Sequence, residues 1–298
     1  MMLYCFVDEQ KAEGFPIERI CEIADVSTSA YYDWKRHRCG VETAAELAER
    51  DLVAKIRKIH KVSGGTYGSP RVTAELYDEG WAVNHKRVER LMRIHNIVGY
   101  TPPIKTVTTI PYAAHRIPDL VKRDFFRDWL DQLWAGDISY IRTDEGFLYL
   151  AVVEDLASRR IVGLSMASHM RTSLVSDALK EAVGTRGGDV DGVVFHSDRG
   201  SQYTSGDYGI LCESFGITQS VGRTGQCWDN APVESFFATL KKELVYRTTF
   251  KTRAEARITI RHWIESWYNL RRRSSVIGYQ SPIEWENNYH HTTETLAA

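Results

Sequence analysis

Three consecutive apolar, β-branched runs between residues 133 and 168 constrain the fold of this chain more than any other feature. LWAGDISYIRT alternates and is followed by the turn-like Asp144-Glu145-Gly146; GFLYLAVVEDLAS is the second run and RRIVGLSMAS the third. Runs of this length and spacing predict consecutive antiparallel strands. Beyond them come a helical pattern (TSLVSDALKEAVG), the strand GVVFHSD, a helix (GDYGILCESFG), a short strand (ITQSV) and a helix from about Pro232 to Val245. Antiparallel strands followed by alternating helices and strands predict an α/β fold, a mixed sheet with helices on its faces.

The preceding residues read as helical. In FPIERICEIADVSTSAYYDWKRHR, Ile17, Ile20, Cys21 and Ala24 form one apolar stripe, Asp25-Val26 breaks it, and Ser27 caps a second helix ending in Lys35, Arg36 and Arg38. A helix-turn-helix and a plain helical hairpin both fit this first segment, residues 1–43. In residues 44–100 a long helix (ELAERDLVAKIRKIHKV) stops at SGGTYGSP, a second closes at Gly80, and Asn84 caps a third, HKRVERLMRIHN. Its Val88, Leu91 and Met92 face inward. Lys86, Arg90 and Arg93 make an outward basic stripe with Arg87 beside it, which suits a major-groove reader as well as a solvated charged face. Residues 101–130 hold four of the eight prolines, so an extended linker over 101–128, then a short helix, is expected before a domain spanning 129–290.

With 43% hydrophobic and 26% charged residues, the chain is expected to bury a sizeable core. No apolar run is long enough to span a bilayer, and the amino terminus lacks a secretory pattern, so a cytoplasmic location and no membrane partner are expected. The five cysteines form no Cys-x-x-Cys pair, which argues against zinc. The net charge of −1 hides an uneven distribution. Residues 51–130 carry 14 Lys and Arg against 8 Asp and Glu, residues 131–200 carry 7 against 11, and residues 240–273 carry 10 against 3. Two basic segments flank an acidic one, as suits a polyanion held on both sides of a cation-binding centre.

Three acids stand out. Asp137 sits mid-strand in Trp134-Ala135-Gly136-Asp137-Ile138, among residues with a buried pattern. Asp198 ends the strand GVVFHSD, and Glu234 lies in the first turn of a helix, where the dipole also favours an acid. A lone buried carboxylate is costly, whereas three sharing a divalent cation are not. Asp155 and Asp229 are rival carboxylates, Asp229 as a helix cap, and His196 reads as structural.

The trio, with 35 residues between Asp198 and Glu234, resembles the DDE triad of retroviral-integrase-type transposases. The strings WAGDISYI, FHSDRGSQYTS, CWDNAPVESFFATLKKELVY and YNLRRRSSVIGYQSPIEW resemble the second-reading-frame (OrfB) transposases of the insertion-sequence three family over nearly the whole chain. The resemblance implies an RNase-H-like core preceded by helix-turn-helix units. It implies that Asp137, Asp198 and Glu234 are catalytic and hold two Mg²⁺ ions, with Mn²⁺ able to substitute, against a scissile phosphodiester; oxygen ligands suit such hard cations. The partners implied are double-stranded DNA, at element ends and target, further copies of the chain on that DNA, and an upstream reading-frame product. A nucleoid-associated location follows.

Lys241, two turns after Glu234, matches a basic position of the family and fits a phosphate grip as well as a solvated lysine. Arg199 and Gln202 stand where they could touch DNA backbone, and Arg271, Arg272 and Arg273 form a basic cluster read as a further DNA contact. The helix RAEARITIRHWIESWYN sets Ala256, Ile260, Trp263 and Trp267 on one packing seam. Where the family commonly has His, this chain has Ser274, between Arg273 and Ser275. The alternatives are a nuclease that cuts without joining, and a DNA-binding regulator or inactive partner of a frameshift fusion.

Overall fold

The computed structural model describes residues 2–38, 40, 42–100, 117–222 and 230–297. Residues 101–116 of the expected linker, Cys39, Cys227 and Asp229 lie outside the described residues.

β1 (Leu133–Thr143), β2 (Gly146–Asp155) and β3 (Ile161–Ala167) form an antiparallel meander. β4 (Val194–Ser197) and β5 (Thr218–Val221) add parallel strands on the other side of β1. The order is β3-β2-β1-β4-β5, so β1 is central. α7 (Thr172–Thr185) and α8 (Gly206–Ser214) cover one face; α9 (Ala231–Glu243) and α10 (Arg253–His262) cover the other. The period of two sorts the strands between these layers. Leu133, Ala135, Leu148, Leu150 and Val152 pack with α9 and α10, whereas Trp134, Ala151 and Val153 pack with α7. Coverage on both faces explains why β2 is buried almost without interruption.

Two glycines set the layer spacing. A Cβ on Gly136 would stand 2.3 Å from Phe195 Cζ, and one on Gly163 would stand 2.2 Å from the Ala178 carbonyl oxygen of α7.

Upstream, α4 (Ala44–Val62), α5 (Ser69–Asp78) and α6 (His85–Ile94) enclose Leu52, Ile56, Val72, Leu76, Val88 and Leu91. Thr43 forms a capping box with Glu46, Asn84 accepts the Lys86 N–H at 2.8 Å, and Gly80 turns the chain at a φ of 82°. At the amino end, α2 (Ile17–Ile23) and α3 (Thr28–Arg38) match the expected pair, and Ser27 accepts the Ala30 N–H at 3.1 Å. The structure adds α1 (Met2–Ala12), whose Val7 completes a core with Ile20, Cys21 and Tyr31.

No helix forms in residues 117–132, where a short one was expected. Backbone partners at the sheet edge explain the difference. Val221 N–H donates to the Pro118 carbonyl at 3.2 Å, Leu120 N–H donates to Ser220 Oγ at 3.0 Å, and Val121 is buried in the core. α10 continues as a π-helical turn, Trp263–Tyr268, and the chain closes with α11 (Pro282–Ala297). Among the described residues no helix is long and apolar enough to cross a membrane.

Candidate active site

The parallel register between β1 and β4 pairs Gly136 with Ser197. One residue later the ladder stops, and Asp198 leaves the sheet beside Asp137 of the central strand. α9 is fixed over the same place: the Asn230 side-chain amide, at its N-cap position, donates to the Gly136 carbonyl at 3.1 Å. Val233, Phe236, Phe237 and Leu240 anchor α9 in the core, which leaves Glu234 exposed in its first turn and Lys241 half-buried two turns on.

The electrostatics tie the four groups together. Burial pushes the Asp137 carboxyl up to about 7; Asp198 and Glu234 add to the shift, while the Ile138 N–H and Lys241 oppose it. Asp198 is also raised, by its recessed position, although solvent reaches it and the Gly200 N–H donates to it at 2.9 Å. Glu234, although its side chain is exposed, is raised by partial desolvation of the carboxyl against the core and by Asp198. Burial lowers Lys241, with Asp137 working against that, and its ammonium lies 5.8 Å from the Tyr140 ring centroid. Three carboxylates are thus crowded with one partial counter-charge. All the donors are oxygens, and the deficit is one that a divalent cation would fill. Among the described residues no three His, Cys, Asp or Glu side chains are gathered tightly enough to form a metal cage, so the site is an open one.

The rivals are accounted for. Asp155 is fully buried, accepts the N–H groups of Asp131, Ala157 and Ser158, and pairs with Arg186, which also holds Asp131 and Glu286. His196 is buried with Nδ1 2.9 Å from Ser220 Oγ. Sequence reasoning passed over Tyr203. It is buried, its hydroxyl has no partner among the described residues, and burial, then Asp137 and Asp198, push it far up. Its only signal was its place in the loop string SDRGSQYTS.

The basic residues divide. Gln202 donates to the Met170 carbonyl at 3.0 Å, and Arg199 Nε donates to the Gly222 carbonyl at 2.7 Å. Lys86, Arg87, Arg90 and Arg93 are exposed on α6, with Glu49 of α4 2.9 Å from Arg90 and 3.5 Å from Arg87. Arg271 is exposed. Reading Arg272 and Arg273 as DNA contacts needs correction. Arg272 is buried and bonds Glu243 at 2.9 and 3.0 Å. Arg273 reaches Glu75 at 3.1 Å, Asp78, and Glu284 at 2.9 Å, while its N–H donates to the Tyr67 hydroxyl. Both guanidiniums are occupied, Arg272 within the core on α9 and Arg273 in joining α5 to the core. Trp267 serves the same junction: it packs on Tyr67, with ring centroids 5.8 Å apart, and donates to Glu243.

Residues 130–227 and 215–282 match two integrase core domain families, and residues 46–104 match an HTH-like domain family. Over 289 residues the chain is 37% identical to transposase InsF for insertion sequence IS3A of Escherichia coli (strain K12), covering 96% of this chain and 99% of the relative. It is 34% identical over 272 residues to the insertion element IS600 uncharacterized 31 kDa protein of Shigella sonnei, covering 91% and 98%. Among solved structures, the catalytic core of BIV integrase is 20% identical, covers 55% of this chain and 99% of that one, and has a TM-score of 0.40. The HTLV-2 integrase core in complex with magnesium is 15% identical, covers 53% and 97%, and has a TM-score of 0.39. The chain belongs to the insertion-sequence three (IS3) family of transposases, with an integrase-type polynucleotidyl transferase core behind an HTH-like domain.

Proposed function

We propose that this chain is the transposase of an insertion sequence, cleaving phosphodiester bonds at the ends of its element and joining the freed 3′-hydroxyls to target DNA. The observation that carries this reading is the convergence of Asp137, Asp198 and Glu234, from β1, the end of β4 and α9, into one electrostatic neighbourhood. These carboxylates are the metal ligands and the catalytic centre. Bound there, a pair of divalent ions, Mg²⁺ or in its place Mn²⁺, supplies Lewis acidity to the attacking and leaving oxygens of an in-line displacement.

The chain's own residues do the rest. The carboxylates must be ionised to bind, so Asp137 gives up the proton that burial and its acidic neighbours let it keep. Lys241 grips a phosphate next to the scissile one. Lys86, Arg87, Arg90 and Arg93 present α6 to DNA, the carboxylate-paired Arg87 and Arg90 exchanging Glu49 for phosphate. Arg199, Gln202 and Arg271 are further backbone contacts. The division at residues 1–43, 44–100 and 129–290 separates DNA recognition from chemistry. The chain works as an oligomer on DNA, alone or fused to an upstream reading-frame product, in the cytoplasm at the nucleoid.

Incubation with labelled element ends, a plasmid and Mg²⁺ tests this reading. Joined products support it, and cleaved ends that never join point to a nuclease. The open arrangement of the carboxylates favours a second reading, a DNA-binding regulator with an inert core. In that case Asp198→Asn leaves the biological effect unchanged.

A further inference from the structure

Where the helix-turn-helix domain meets the core, a cavity of about 340 Å³ opens between α5 and α9. Arg71 enters it from α5 and Lys242 from α9, and the hydroxyl-bearing Thr66, Tyr100, Ser275 and Tyr279 complete the wall. No carboxylate among the described residues lines it. At the surrounding junction Arg272 pairs with Glu243, and Arg273 with Glu75, Asp78 and Glu284.

The two lining cations are exceptions. Arg71 uses Nε to hold the Arg273 carbonyl at 2.9 Å and lies over the Tyr67 ring, but it has no carboxylate partner among the described residues. Burial, reinforced by the neighbouring Arg272 charge, pulls its pKa down, with the Glu243 charge opposing. Lys242 likewise has no carboxylate partner among the described residues. A half-buried guanidinium without a counter-ion is costly unless an anion arrives from outside. Gly99 keeps the cavity in shape, since a Cβ there would stand 2.9 Å from the Gly68 backbone nitrogen. Ser275 is exposed, so solvent reaches the site.

We propose that this cavity is a DNA-backbone phosphate site shared by the two domains, in which Arg71 and Lys242 grip one phosphodiester a few nucleotides from the scissile bond. The assignment rests on the transposase reading. Along α9, Lys242 lies about 12 Å beyond Glu234 at 1.5 Å per residue, a span of roughly three or four nucleotides of duplex. One phosphate held by both domains gives Arg71 and Lys242 the direct ion-pair partner they lack among the described residues, and it fixes the reading domain relative to the cutting one.

The test is equilibrium binding of the full chain to a labelled duplex of about 40 base pairs across a salt series, without metal, because each phosphate contact contributes about 0.9 to the slope of log affinity against log salt. Arg71→Gln and Lys242→Gln should each flatten the slope by a share of the roughly 0.9 that their one phosphate contributes, the double variant by about 0.9, and each should weaken binding roughly tenfold. The losses should be alike on related and scrambled sequences, and the thermal midpoint of Lys242→Gln should be unchanged. Because Arg71 also bonds Arg273, Lys242→Gln decides the matter if Arg71→Gln unfolds the chain. A Lys242→Gln chain that keeps the wild-type slope overturns the proposal while leaving catalysis at the carboxylates untouched. So does a rise in the wild-type thermal midpoint with inorganic phosphate that Lys242→Gln abolishes without changing the DNA slope, since the cavity would then hold a free anion. A wild-type chain that binds no duplex at all would sink both this site and the transposase reading.

Discussion

Gly136 of β1 lies opposite Ser197 of β4, the last rung of a parallel ladder, and this pairing sets Asp137 and Asp198 side by side. Repulsion between them is built into the register. Within the folded chain it combines with burial to keep Asp137 protonated to about pH 7, against an ordinary value of 3.8.

The sign of the stability effect follows. Between pH 4 and 7 the folded chain binds a proton at Asp137 that the unfolded chain does not, so stability from this group is full at low pH and falls as pH rises. Metal-free Asp137→Asn should therefore melt near the wild type at pH 4 and above it at pH 8. Mn²⁺ at pH 8 should raise the wild-type melting temperature and leave the variant unmoved. A difference between the two proteins that does not change with pH would refute the assignment.

Lys241 sits between two roles of opposite sign. Its charge favours a phosphate but opposes a cation at Asp137. Lys241→Gln should weaken binding of element-end DNA roughly tenfold while tightening Mn²⁺ binding several-fold, read by anisotropy and calorimetry. A solvated, uninvolved lysine would move neither.

The glycines flanking the site allow close approach of different kinds. Gly136→Ala drives a methyl into the Phe195 ring and should cost about 1–3 kcal/mol in urea unfolding. A compensating Phe195→Leu should recover part of that. Gly163→Ala meets the backbone of α7 instead. It should cost more, and side-chain trimming should not rescue it.

The Arg272–Glu243 pair is buried at both ends. Glu243→Ala strands the guanidinium and should cost about 3–5 kcal/mol, whereas Arg272→Met with Glu243→Leu should cost much less. Equal losses in the two would mean that charge burial is not the cause.

The strands and helices of the core were legible in the chain because each carries its own local signal. Alternation marks β1, a continuous apolar run marks β2, Gly80 and Asn84 mark helix ends, and Ser27 caps α3. Legibility failed where partners are distant. Arg271, Arg272 and Arg273 look alike in sequence, and the last two are distinguished by partners that include acids 29 and 198 residues away. α1 has a weak apolar stripe and is held by Val7 against Ile20 and Tyr31. Residues 117–132 form turns rather than a helix, tied at Pro118 and Leu120 to β5, a partner that no local propensity records. The three acids could be named from their strings, but their proximity depends on the β1–β4 register and on Asn230 holding α9 to Gly136.

Counting Mn²⁺ bound to the chain in complex with its element ends, by calorimetry or electron paramagnetic resonance, bears most directly on the site. About two ions per chain are expected for the wild type, with uptake weakening as pH drops below 7 and lost in Asp137→Asn, Asp198→Asn and Glu234→Gln, all still bound to DNA. The same stoichiometry in those variants, or no uptake by the wild type on DNA, would contradict the account.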